Sequence, residues 1–233
     1  MKKTILSTAL VSALALTGVN AFAHEAGDIL VRAGFTNVAP DDGSSNILVG
    51  GANFELGGNV VGGVNVDSNT QLGLNIAYFL TDNWNVEVLA ATPFSHDINL
   101  ADGTNLGSTK HLPPTVTANY FFADASAPFQ PYVGLGLNYT VFFDEEFNSG
   151  TVGVIEDLAG ATISDLSLDG SFGLSAQVGA DFEVSEGIYI NASVRYISIE
   201  TEAKFKVNGA DLGAVESVDI NPFVYTISVG YKF

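Results

Sequence analysis

Phe223-Val224-Tyr225-Thr226-Ile227-Ser228-Val229-Gly230-Tyr231-Lys232-Phe233 is the stretch whose alternation decides the fold. Every odd position is aromatic or aliphatic, while the even ones include Thr226, Ser228, Gly230 and Lys232. Successive side chains of an extended strand point to opposite faces, so this segment predicts a strand with one greasy and one small or polar face. Phe172 to Phe182 and Ile188 to Tyr196 repeat the pattern, and weaker versions occupy Ile29 to Val38, Leu72 to Leu80, Trp84 to Thr92, Val116 to Phe122 and Val133 to Phe143. That makes eight strands.

The connections supply a second signal. Those at Thr81–Asn83, Ala123–Phe129 and Glu183–Gly187 are short, whereas 39–70, 93–112, 144–165 and 202–217 are long. An even strand number with alternating tight turns and long loops is the pattern of an outer-membrane barrel. A soluble β-sandwich also alternates, but its polar face should carry many charges, and here that face is rich in Gly, Ser, Asn and Thr. We therefore expect an all-β, eight-stranded antiparallel transmembrane β-barrel over 24–233. Aromatic residues at strand ends, namely Trp84, Phe122, Tyr132, Phe182, Tyr231 and Phe233, are expected to form its lower interfacial girdle.

Composition agrees. The 233 residues include 47% hydrophobic but only 15% charged side chains, and no cysteine. Mean hydropathy is positive at +0.28 without any apolar run long enough for a spanning helix, so the excess must be spread over strand faces. A net charge of −18 argues against a nucleic-acid partner, and the missing cysteines exclude a disulfide scaffold. Met1-Lys2-Lys3, the apolar stretch Thr4 to Val19 and the small-x-small site Ala21-Phe22-Ala23 read as a signal peptide, 1–23, cleaved before His24. The exported protein is then expected in the outer membrane, among lipid and lipopolysaccharide.

With the N-terminus periplasmic, the lower inward face carries Arg32, Glu87, Asp181, Arg195 and Lys232 beside Asn119, Gln177 and Asn191. Buried charges must pair, so these are expected to form a plug. Higher up, the same register gives Leu89, Ala91, Phe142, Ile197 and Ile199. An apolar upper lumen is either a filled core or a greasy cavity open to the outside, and periodicity alone leaves the two open. A solute in such a cavity could leave only sideways, and Pro93, Pro113 and Pro114 are candidate positions for a lateral opening, because proline cannot donate a ladder hydrogen bond.

Loop 144–165 with Asp169 is acidic and lacks Lys and Arg, so it reads as a solvated surface. The glycine doublets from Gly50 to Gly63 lack a following Lys-Ser/Thr and a helix, and read as a mobile loop over the mouth rather than a phosphate site. Ser95-His96-Asp97 and His111 invite a catalytic reading, yet neighbouring residues of an extended chain point to opposite sides and cannot converge as a triad. His24 would become N-terminal after cleavage, but no partner pair makes it a metal site. No enzyme, cofactor or metal is expected.

His24-Glu25-Ala26-Gly27-Asp28 with Val31-Arg32-Ala33-Gly34, Thr81-Asp82-Asn83 through Glu87 to Ala90-Ala91-Thr92-Pro93-Phe94, His111-Leu112-Pro113-Pro114-Thr115, and Pro131-Tyr132-Val133-Gly134 through Asn138-Tyr139-Thr140 to Phe142-Phe143 resemble the outer membrane protein W (OmpW) family. The resemblance implies an eight-stranded barrel with a hydrophobic lumen, linked to passage of small hydrophobic molecules and lateral release, and it favours the cavity over the filled core. It names no solute and assigns no gate residue in 39–70. Phe233 fits the aromatic end that such barrels present to their assembly machinery. The other expectations weighed are a structural or receptor barrel with working loops and a small ion-conducting pore.

Overall fold

The computed structural model describes residues 24–124 and 126–233, and the expected leader at 1–23 lies outside them. The chain rises through β1 (Ile29–Ala39), crosses six short strands, β2 (Gly43–Ser44), β3 (Leu48–Val49), β4 (Ala52–Asn53), β5 (Glu55–Leu56), β6 (Asn59–Val60) and β7 (Val64–Val66), and returns along β8 (Asn69–Phe79). It climbs again in β9 (Trp84–Ala91), makes the hairpin β10 (Phe94–Leu100) and β11 (Asn105–Leu112), and descends in β12 (Thr115–Phe121). The long β13 (Phe129–Phe147) leads to helix α1 (Ser149–Ala159), β14 (Ile163–Leu168) and β15 (Ser171–Ser185). Last come β16 (Ile188–Ile197), the hairpin β17 (Glu200–Val207) and β18 (Ala210–Asp219), and β19 (Phe223–Lys232). β1, β8, β9, β12, β13, β15, β16 and β19 form a closed antiparallel ring, with β1 paired to β19 from Leu30↔Lys232 to Ala39↔Phe223. These are the eight strands that the alternation predicts.

Their outward faces are greasy all round. Phe35, Leu135, Phe172 and Ile227 are 67–73% exposed, and the surrounding outward residues are Leu, Ile, Val and Tyr. A continuous apolar belt of this kind fits lipid and not water. The inward faces are built from Gly, Ser, Thr and Asn, small enough for a ring of eight strands to coil tightly. Gly34 is the sharpest case, since a Cβ there would lie 2.1 Å from the backbone oxygen of Ile227 across the closing seam. Gly34→Ala is therefore expected to stop β1 docking on β19 and to abolish the compact, faster-migrating band on gels of unheated samples. Ala33→Val, on the lipid side, should leave that band in place.

Four expectations need correction. Tyr132 is not in the girdle: it is buried inside the barrel, where its hydroxyl accepts from Asn191 Nδ2 at 3.0 Å. The long connections are not plain loops, because two hairpins and part of β13 continue the barrel wall above the apolar belt. Within 144–165 the chain forms α1, capped by Asn148, whose Oδ1 accepts from Gly150 N at 3.0 Å, and ended by the left-handed Gly160. The stretch from Gly50 to Gly63 is likewise tied down, with β4 paired to β3, β5 paired to β6 and Gly50 N donating to the backbone oxygen of Leu212 at 2.7 Å.

Candidate functional site

The lumen is layered, and the lowest layer is a seal. His24 docks between Phe79 and Tyr189, with ring centroids 4.1 and 5.1 Å away, and Leu30, Phe121 and Tyr132 complete an apolar cap. Burial, then Arg32 and Lys232 nearby, push the His24 imidazole down to about 3, so it docks neutral.

Above the cap lies the charge plug. Arg32 donates through Nε to Asp181 Oδ1 at 3.0 Å and through Nη2 to Asp181 Oδ2, and its Nη1 donates to Glu87 Oε2 at 2.9 Å. Arg195 Nη2 reaches Glu87 Oε1 at 2.6 Å, and its Nε donates to Gln177 Oε1 at 2.9 Å. Gln177 and Asn119 extend the network to Asn85, and Asn191 donates to Asp181 Oδ1 at 2.8 Å. Two cations face two anions, each nearly or fully buried, and the Arg195–Glu87 pair crosses the lumen from β16 to β9 on the opposite side of the ring. Lys232 stands apart from the Arg32–Arg195 network: it sits at the short-turn rim, partly exposed, with Nζ 3.2 Å from Asp28 Oδ2. Asp28 precedes the first alternating residue, so the period-2 pattern does not mark it as a partner of Lys232.

A polar layer including Thr36, Thr226, Asn138 and Thr140 follows, and above it an apolar floor. Ile197 and Ile199 are fully buried there with Val38, Val224, Phe94 and Phe142, and Ala91 packs against them. Leu89 is buried opposite Thr115, outside that cluster. Over the floor sits a cavity of about 250 Å³. Of the five residues expected to form the apolar upper lumen, only Phe142 lines it. Its walls come instead from the extensions: Ile98 of β10, Val152 and Ile155 of α1, Ala203, Phe205 and Val207 of β17, and Val215 and Val218 of β18, with Ile47, Phe54 and Val64 from 39–70. The reason is height. Outward residues beside these walls, among them Ser95, Asp97, Lys110, Glu200 and Lys204, are polar, so the cavity stands above the lipid belt. The acidic surface is partly paired: Lys110 Nζ lies 3.0 Å from Asp144, and Lys206 Nζ lies 3.1 Å from Asp165.

Ser95 and Asp97 point outward while His96 points in, so no triad forms. His96 and His111 face the cavity with ring centroids 4.8 Å apart. Burial pushes the imidazole of His96 down, and burial and the neighbouring His96 push that of His111 down to about 3, so both are neutral. Among the described residues no cluster of three or more metal-ligating side chains occurs.

The prolines fall at one level. β9 pairs β12 up to Leu89↔Thr115, and β10 pairs β11 from Phe94↔His111. Between these points 90–93 face 112–114 without pairing to each other, and Pro93, Pro113 and Pro114 lie in that interruption, which is flanked on its first side by the floor residues Ala91 and Phe94.

A family model described as the OmpW family matches residues 25–233. Outer membrane protein W of Vibrio cholerae is 47% identical over the whole of both chains, and that of Escherichia coli is 42% identical, also over both. The crystal structure of the outer membrane protein OprG from Pseudomonas aeruginosa, 38% identical, superposes with a TM-score of 0.76 over 91% of this chain and 98% of that one.

Proposed function

The chain belongs to the OmpW family of outer-membrane barrels, and from that premise we propose that it is a non-enzymatic passage for small hydrophobic molecules. The observation that carries this reading is an apolar cavity raised above the lipid belt, over a lumen sealed by the Arg32–Asp181 and Arg195–Glu87 pairs. A hydrophobic solute gains by leaving water for such a cavity. It cannot continue downward through two ion pairs and an apolar cap without breaking them. The way out is sideways, through the unpaired stretch at Pro93, Pro113 and Pro114, into the lipid.

The test is to fill the cavity from a wall outside the membrane. Ala203→Trp on β17 places an indole where the solute would sit. Uptake of a hydrophobic probe by cells carrying this variant is expected to fall to that of cells lacking the protein, at equal amounts of folded barrel. Uptake equal to that of the unaltered protein would refute the reading.

A further inference from the structure

We propose that the cavity selects solutes that combine an apolar body with a neutral hydroxyl, an alcohol or a phenol, and that His96 is the residue that accepts the hydroxyl's hydrogen. The inference rests on the reading of the cavity as the solute site and names the chemistry it would prefer.

His96 is 2% exposed and faces the cavity from β10. Its Nδ1 is in hydrogen-bond contact with the carbonyl oxygen of Asp67. A carbonyl oxygen can only accept, so Nδ1 carries the proton, and a neutral imidazole then has a bare lone pair on Nε2. That Nε2 is buried and has no hydrogen-bond partner among the described residues. A buried acceptor left unmatched is costly, and it is seldom kept in a site that has no use for it. The backbone contact therefore fixes both the tautomer of His96 and the sign of its interaction: a group that meets its Nε2 must donate, whereas the buried Nε2 of the neighbouring His111 is not fixed in this way.

The rest of the lining narrows the donor. Among the described residues no Lys, Arg, Asp or Glu lines the cavity. A carboxylate would bring only acceptors to a bare lone pair, with no cation to compensate it. An ammonium group can donate, but it would lose its hydration with no counter-ion. A metal ion fits poorly, because His96 and His111 stack with their planes 14° apart and their in-plane lone pairs run side by side instead of converging on one point. A neutral hydroxyl satisfies every condition. An apolar cavity of about 150 Å³ accepts benzene, so one of about 250 Å³ suits a body roughly the size of naphthalene.

The experiment uses 2-naphthol and 2-methylnaphthalene, which differ only in OH against CH3. The protein is placed in lipid nanodiscs, binding of each probe is read from its own fluorescence, and partition into empty nanodiscs is subtracted. 2-Naphthol is expected to bind about 5- to 10-fold more tightly, the worth of one hydrogen bond to a buried acceptor. In His96→Phe, which keeps a flat ring but offers no acceptor, the preference should be lost and reverse in favour of 2-methylnaphthalene, because the buried hydroxyl is then unpaired while the methyl still gains from burial. On the unaltered protein, the nitrogen-15 resonance of His96 Nε2 should move with 2-naphthol and stay with 2-methylnaphthalene, a readout independent of how the variant folds. Equal affinities, an unchanged ratio in His96→Phe or an unmoved resonance would overturn the hydroxyl preference while leaving a solute cavity. Binding of neither probe above empty nanodiscs would overturn the cavity reading itself, and this inference with it.

Discussion

Arg32→Met is expected to cost the barrel about 3–5 kcal/mol, the usual penalty for removing one partner of a buried ion pair. Asp181, fully buried, would lose the guanidinium that meets both its oxygens and would keep the Asn191 amide on Oδ1. Glu87 would suffer less, because Arg195 and Gln177 still donate to it. The readout is a urea titration of the purified barrel in lipid vesicles, followed by loss of the compact band on unheated gels. Adding Asp181→Asn to Arg32→Met removes the stranded charge, so the double variant should recover more than half of the loss. A single variant within about 1 kcal/mol of the parent would mean that the network is not what holds the lower lumen closed.

That such a plug could be read from the sequence at all follows from its location. Inside the lipid belt a strand has one face in hydrocarbon and one in the lumen, so the period-2 pattern is rigid and each inward charge stands out against Gly, Ser and Thr. Arg32, Glu87, Asp181 and Arg195 were found for that reason, and they come together as expected. The cavity walls were missed because the pattern inverts as the strands leave the lipid. On β9 the outward residues are Trp84, Val88 and Ala90, yet three residues past Ala91 the apolar side turns inward, with Phe94, His96 and Ile98 buried and Ser95 and Asp97 exposed. β16 and β17 invert in the same way, from outward Ile188, Ile190 and Tyr196 to inward Ile199, Ala203 and Val207. At each inversion the greasy face breaks off, so the segment beyond it looks like a loop. The inversion is itself a sequence signal, and it marks where hydrocarbon gives way to water. α1 was hidden differently: its glycines and acidic residues suggested solvated loop, while only Val152 and Ile155, one turn apart, carry its buried face.

The lateral route makes the second strong prediction. The chain has no native cysteine, so Ala91→Cys with Pro113→Cys introduces one thiol on each side of the interruption, both on the lumen face. A short thiol-to-thiol cross-linker then ties β9 to the stretch before β12 where no backbone pairing does so. Cross-linked barrels should lose uptake of a hydrophobic solute at least 10-fold, and each single-cysteine variant given the same reagent should lose none. Binding of the solute to the cavity, measured in nanodiscs, should persist, because His96, Ala203 and Val215 lie above the tie. That split matters, since a block at the cavity would remove both binding and uptake, whereas a block at the exit removes uptake alone. Cross-linked barrels that still deliver solute would require a path down through the Arg32 and Arg195 pairs. The same assay on Arg32→Met/Asp181→Asn would expose that path, because uptake through the lumen should rise when the plug loses its charges and uptake through the side should not.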